Sequence, residues 1–316
     1  MKLVQYLLGH PKNTESMKRM CAAYDIEYEL TFDRNRLRHG DYTIAWIPME
    51  WISPDEFPSN VYILYGPQFF VLPEGPLCGP FNEEWSKRSV YTCLCKWNMG
   101  VYSEFSPSFV IPMKPFFFGI SDSTPDFSED EKTLDCVIYI KRRDPFHIIQ
   151  VQEQLDKRQL TYEIFEYGSY DNTEYFNTLK RAKFCIWLGT HESQGFCFQE
   201  TLVTNTPILL WDATSMYFEF TSEGRMEFEK WLGTKTLEST TANLWSDECG
   251  LRMDDTCIGD SIERMLELYT TFKPRSFILE NASDKVCMNK ILSHFGLFIL
   301  PQSDTIKNSS EPESNQ

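Results

Sequence analysis

Glu192 and Glu200, with seven residues between them, stand on a stretch that reads FCIWLGTHESQGFCFQETLVTNTPILLWD from Phe184 to Asp212. The five apolar residues Phe184-Cys185-Ile186-Trp187-Leu188 predict a buried strand, and a polar loop from Gly189 to Gly195 follows it. Phe196, Phe198, Leu202 and Val203 then give a short amphipathic helix, and Pro207-Ile208-Leu209-Leu210-Trp211 a second buried strand. Strand, helix and strand at these lengths make a βαβ unit and require a parallel sheet. Ligands of such sheets bind outside the carboxyl ends of the strands, where this loop must lie. Glu200, expected at the start of the helix, can accept hydrogen bonds from a sugar diol. Gly195 lets the backbone approach a ligand, and the free amides of a helix start suit a phosphate.

The run Glu192-Ser193-Gln194-Gly195-Phe196-Cys197-Phe198-Gln199-Glu200, closed by Asn205-Thr206-Pro207 and a strand, resembles the E-x7-E signature of retaining nucleotide-sugar glycosyltransferases. It is most similar to glycosyltransferase family 4, of GT-B architecture. Asn205 stands where that family usually has Gly, and Asn tolerates the left-handed turn better than most residues. The resemblance implies an α/β fold of two Rossmann-like lobes facing a central cleft. It makes Glu200 the ligand of the nucleotide ribose and places Glu192 beside the donor sugar as the catalytic candidate. Gly195 and Phe196 would add backbone contacts, and His191 a donor contact. Transfer would go with retention of configuration from a donor such as a UDP- or GDP-sugar to a glycan or glycoprotein acceptor, with no metal or other cofactor. No Asp-x-Asp closes an apolar strand, the place where metal-dependent transferases of the other main fold carry it.

These groups need a scaffold, and the chain supplies one in both halves. With 316 residues, 42% apolar and 24% charged, two globular domains of ordinary size are expected. Strands are predicted over Leu3–Leu8, Ile26–Phe32, Tyr42–Ile47 and Val61–Tyr65, with a helix from Thr14 to Tyr24 capped by Asn13 or Thr14. Gly9-His10 follows the first strand, and Gly66-Pro67-Gln68 the Val61–Tyr65 strand, so Gly9, His10 and Gln68 are candidate acceptor or cleft residues. The acidic, proline-bearing stretch Ser121–Lys132 marks the boundary. The lobes are thus expected over 1–125 and 126–275, followed by a terminal helical segment over 276–301 and a disordered tail over 302–316.

In the second lobe the strand Leu134–Ile140 runs into Lys141-Arg142-Arg143, and Asp144-Pro145 then caps a helix. Family members hold the donor diphosphate with an Arg and a Lys after this strand. Here three adjacent cations leave open which of them does so. Further helices are predicted over Met226–Trp231 and Ile262–Tyr269.

A net charge of −16, from 46 carboxylates against 30 Lys and Arg, disfavours nucleic acid and anionic membranes as partners. No apolar run has the length of a membrane span, and Met1–His10 is too short and polar for a signal peptide. Of ten scattered cysteines several, such as Cys136 and Cys185, fall in apolar runs and read as buried hydrophobes; a reducing, cytoplasmic compartment is expected, and Cys93-Leu94-Cys95 fits no common zinc spacing. The compact length is similar to that of glycosyltransferases encoded by large DNA viruses of algae, which glycosylate capsid proteins. Competing readings are a GT-B-like sugar epimerase, for which no set of acid–base residues stands out, and a non-catalytic nucleotide-sugar or glycan-binding protein of the same fold.

Overall fold

The computed structural model describes residues 1–67, 77–105, 108–215 and 238–301. Six strands form a first sheet: β1 (Lys2–Tyr6), β2 (Glu27–Thr31), β3 (Ile44–Ile47), β4 (Tyr62–Tyr65), β5 (Ser89–Thr92) and β6 (Met113–Lys114). They are parallel throughout, in the order β2-β1-β3-β4-β5-β6. The second sheet joins β7 (Leu134–Ile140), β8 (Tyr162–Glu166), β9 (Ala182–Leu188), β10 (Ile208–Leu210) and β11 (Gly250–Arg252), also parallel, in the order β11-β10-β9-β7-β8. Each order reverses beside its first strand, which opens a crevice between β1 and β3 and another between β7 and β9.

Both sheets are buried on two faces, as all-parallel sheets must be. Leu3, Ile44, Trp46, Leu64 and Val90 face one cluster, while Val4, Ala45, Ile47, Ile63 and Tyr91 face the other. The second sheet splits likewise, with Val137, Tyr139, Cys185 and Trp187 against Cys136, Ile138, Phe184 and Ile186. The period of two along each strand fixes which side chain meets which layer.

The covering helices are α1 (Pro11–Ala22), α2 (Glu83–Ser86), α3 (Lys96–Phe105), α4 (Pro145–Lys157), α5 (Asn172–Arg181), α6 (Phe196–Val203), α7 (Ile258–Leu268), α8 (Pro274–Ala282) and α9 (Asp284–His294). Asp144 caps α4 by accepting from the Phe146 amide at 2.9 Å, with Pro145 in the first turn, as the sequence predicts. The start of α1 differs from expectation. It begins at Pro11 with His10 as N-cap and no side-chain cap, because Pro is preorganised for the first helical position. Asn13 and Thr14, expected as caps, are buried within the helix. The strand β11 escaped prediction, being three residues long and opening on a glycine.

The terminal helical region is two helices that cross from the second lobe's core to the first's. Ile278 of α8 belongs to the second lobe's core, whereas Ala282 at the end of α8 and Cys287, Met288, Ile291 and Leu292 of α9 complete the first lobe's. Arg19 of α1 donates to Asp284 at 2.9 Å and to the Gly119 carbonyl at 2.9 Å, tying that crossing to the first lobe. The helix predicted over Met226–Trp231, the candidate Gln68 and the tail 302–316 lie outside the described residues. Among the described residues, no helix is long and apolar enough to cross a membrane.

Candidate active site

The loop that carries Glu192 leaves the carboxyl end of β9 and turns into α6 through Gly195, whose φ of 71° and ψ of 46° lie in the left-handed region. A side chain there would cost strain and would come within 3.4 Å of the Glu192 Cβ. Gly195 is the N-cap of α6, so the first free amides of that helix open beside Glu192. Asn205, after the helix, also takes positive φ, at 66°, a left-handed turn that Asn tolerates better than most residues. Glu200 is the fifth residue of α6 rather than its first, one turn deeper than expected.

Each glutamate is met by a lysine, and the two lysines come from opposite lobes. Lys141, directly after β7, puts Nζ 2.8 Å from Glu192 Oε1 and 4.7 Å from the centre of the Tyr167 ring. Lys12, in the first turn of α1, puts Nζ 2.6 Å from Glu200 Oε2 and 5.8 Å from the centre of the Phe196 ring. Both pairs are partly sheltered, with side-chain exposures of 15% and 13% for the first and 34% and 24% for the second.

Two further contacts bridge the lobes at the same loop. Gln194 is 5% exposed and makes a two-point bond to the Phe118 backbone, accepting from its N–H and donating to its C=O, both at 3.0 Å. Its amide also donates to Gln199 Oε1 at 2.9 Å. Trp97 of α3 donates its indole N–H to the Glu192 carbonyl at 2.8 Å, and its ring meets that of His191 edge-on at 5.2 Å. Lys12, Trp97 and Phe118 all follow carboxyl ends of first-lobe strands; Trp97 and Phe118 reach the loop after β9, and Lys12 reaches the helix α6 that the loop enters. The carboxyl edges of the two sheets therefore face each other, with the loop from His191 to Gly195 between them.

The loop is held from behind by the segment from Ser239 to Asn243. Asn243 donates to the carbonyls of Glu192 and Ser193, and the Glu192 amide donates to the Thr240 carbonyl at 3.1 Å. Asp212, after β10, anchors that segment by accepting from Thr240 Oγ1 at 2.8 Å and the Thr241 amide at 2.9 Å, and it pairs with Arg252 at 2.8 Å.

The three adjacent cations have three different surroundings. Lys141 faces Glu192. Arg142 is exposed and bends the chain at a φ of 50°. Arg143 is 6% exposed, donates to the Gly189 carbonyl at 2.9 Å and lies over the Trp211 ring. Desolvation draws its guanidinium down to about 10, against the pull of Asp212 and Asp144. Arg143 thus props the start of the motif loop, which leaves Lys141 as the cation turned toward Glu192.

On the first lobe, Gln5 is fully buried and donates to the Leu7 carbonyl at 2.8 Å and to Thr14 Oγ1 at 3.2 Å, which fixes the turn between β1 and α1. Leu7 there has a φ of 64°, and Leu94, after β5, has 65°. Left-handed leucines are costly, and strain of this kind concentrates at functional edges. Gly9 lies in the same turn, where a Cβ would stand 3.0 Å from Pro48. His10 is exposed at the head of α1, and its basicity is lowered by desolvation and then by Lys12. Cys93 and Cys95 are buried, and Cys95, bonded to Asn98 Oδ1 at 3.1 Å, is pushed up to about 12 by burial. Among the described residues, no group of three His, Cys, Asp or Glu side chains is placed to hold a metal ion.

Lys12, Trp97, Thr240 and Asn243 carry no signal in the sequence, since each acts through partners far along the chain, and Gln194 lies inside the motif with no role readable from it.

The sequence matches no protein-family model and no curated protein. The structure is similar to AviGT4, a glycosyltransferase involved in avilamycin A biosynthesis, with a TM-score of 0.56 and 9% identity over 94% of this chain and 97% of that one. Sucrose-phosphate synthase from Thermosynechococcus elongatus matches with a TM-score of 0.54, 9% identity and coverage of 94% and 98%. The lipopolysaccharide outer core galactosyltransferase WaaB matches with 0.50, 8% and coverage of 94% and 99%. The chain has the GT-B architecture, and these structural neighbours are glycosyltransferases.

Proposed function

We propose that the protein is a glycosyltransferase that moves a sugar from a nucleotide-sugar to a glycan or protein acceptor with retention of configuration and without a metal. The observation that carries this reading is the placement of the two glutamates. Glu192 and Glu200 flank the N-terminus of α6 at the carboxyl edge of the second sheet, in the crevice where open α/β sheets take ligands.

In this reading the ribose diol donates to Glu200, and the diphosphate lies between Lys141 and the free amides of α6. A cation and helix-terminal amides fixed in a partly dry cleft stabilise the charge that develops on a departing diphosphate. Glu192 stands beside the sugar, with its backbone clamped by Trp97, Asn243 and Thr240 so that its carboxylate is already oriented. The acceptor enters from the first lobe, past Gly9 and His10.

A thermal-shift screen against a panel of nucleotide-sugars, on the wild type and on Glu200→Ala, tests the donor site. A ligand selective for the native state raises the melting temperature by mass action. The reading expects one nucleotide to stabilise the wild type and not the variant. A panel that shifts neither protein would sink it.

A further inference from the structure

We propose that Lys12 is a donor-binding residue supplied by the first lobe. Without donor it neutralises Glu200. When the ribose takes that carboxylate, the Lys12 ammonium passes to the donor's diphosphate. This inference rests on the reading of Glu200 as the ribose ligand.

The pair sits where the ribose must bind. Lys12 Nζ lies 2.6 Å from Glu200 Oε2, so one of the two oxygens a vicinal diol would use is already taken. Hydroxyl donors and an ammonium compete for the same lone pairs, and a bound diol displaces the lysine or shares the oxygen with it. The displaced ammonium does not have far to go. In a nucleotide the diphosphate is joined to the same ribose, and the flexible four-carbon stem of Lys lets its charge follow. The stem is already steered, since Nζ lies over the Phe196 ring at the head of α6, where the free amides open.

Charge balance supports the same assignment. A nucleoside diphosphate brings at least two negative charges into a site that holds Glu192 and Glu200. Of the three cations after β7, Lys141 is paired with Glu192, Arg142 is exposed, and Arg143 is buried against the Gly189 carbonyl and Trp211. Lys12 supplies a cation from the opposite wall, carried on the first turn of α1. The ion pair therefore holds a charge in reserve, and donor binding exchanges its partner without opening the cleft.

The test compares nucleosides with nucleoside diphosphates. Binding of uridine, guanosine and their 5′-diphosphates is measured by calorimetry on the wild type, Lys12→Met and Lys12→Arg. Met keeps the length of the stem and removes the charge. Loss of one charge-assisted bond to phosphate should weaken diphosphate binding by ~10–100-fold in Lys12→Met. Nucleoside binding should stay level or tighten, because Glu200 is released from its competitor. Lys12→Arg should restore most of the diphosphate affinity. Equal weakening of nucleoside and diphosphate would overturn the proposal and reduce Lys12 to a strut between the lobes. No change in either would overturn it as well. If the wild type binds neither class of ligand, the ribose reading of Glu200 itself has failed, and the role of Lys12 falls with it.

Discussion

Replacing Gln194 tests whether the lobes are joined as described. Its side chain is one of the few in the site whose amide orientation is forced. The Phe118 N–H must meet an oxygen and the Phe118 C=O must meet an N–H, and only one placement of the amide satisfies both. Phe118 is 2% exposed and Gln194 is 5% exposed, so water does not reach these groups in the folded state. Removing the amide strands two backbone groups, each at ~1–3 kcal/mol when left unsatisfied. In Gln194→Ala the vacated space is bordered by the Phe118 N–H, the Phe118 C=O and Gln199 Oε1, three polar partners that suffice for one water. That variant should therefore lose only ~2 kcal/mol, a fall in melting temperature of about 4–8 °C. Gln194→Leu fills the space with methyl groups and denies the water, so it should lose ~4 kcal/mol, or about 8–16 °C. Scanning calorimetry of the three proteins decides the matter. If the Leu variant is as stable as the Ala variant, or more so, the buried two-point bond is not what joins the lobes.

Other substitutions probe the turns and the titrating groups. Gly195→Ala should cost ~1–2 kcal/mol through its left-handed backbone, whereas Asn205→Gly, at a φ of 66°, should be neutral or mildly stabilising. Melting temperatures in which both changes destabilise equally would contradict the backbone argument. Stability should also fall on acidification. His147 is held below 6.5 by desolvation and then Arg143, and His294 by desolvation and then Lys114. The unfolded chain then binds their protons more readily, so their contribution is complete above 6.5 and is lost as the pH falls from there through the lowered folded values. Glu29, drawn down to about 2 chiefly by Arg36 and also by Lys2, adds stability that is present above 4.5 and lost toward 2. A melting temperature unchanged between about pH 8 and about pH 5 would refute the histidine contribution.

The second lobe was readable in the sequence because its determinants are local. Buried strands such as Leu134–Ile140 advertise themselves as apolar runs, Asp144-Pro145 starts a helix by its own chemistry, and Gly195 marks its turn. The Glu192 loop could be placed for the same reason. Its partners could not. Trp97 lies 95 residues from Glu192, Lys12 lies 188 from Glu200, and Phe118 lies 76 from Gln194, and no periodicity connects such positions. Arg142 and Arg143 looked equivalent to Lys141 in the sequence. A left-handed residue at Arg142 turns the chain so that Lys141 faces the cleft, Arg142 is exposed and Arg143 is buried. The head of α1 is not legible in the sequence because Asn13 and Thr14 have the chemistry of caps, while Pro11 only permits a start and does not demand one.

Sugar transfer at Glu192 is tested most directly by release of nucleoside diphosphate from a panel of nucleotide-sugars, measured with the wild type and with Glu192→Gln. The wild type is expected to turn over one donor, slowly onto water and faster once an acceptor is supplied. Glu192→Gln should keep nucleotide affinity within a few-fold and lose ~100-fold or more in turnover, as expected for a group that acts on the transition state. Equal turnover by the two proteins would remove Glu192 from the chemistry. A donor that binds the wild type but is never cleaved, with any acceptor, would make the chain a binding protein on a glycosyltransferase fold.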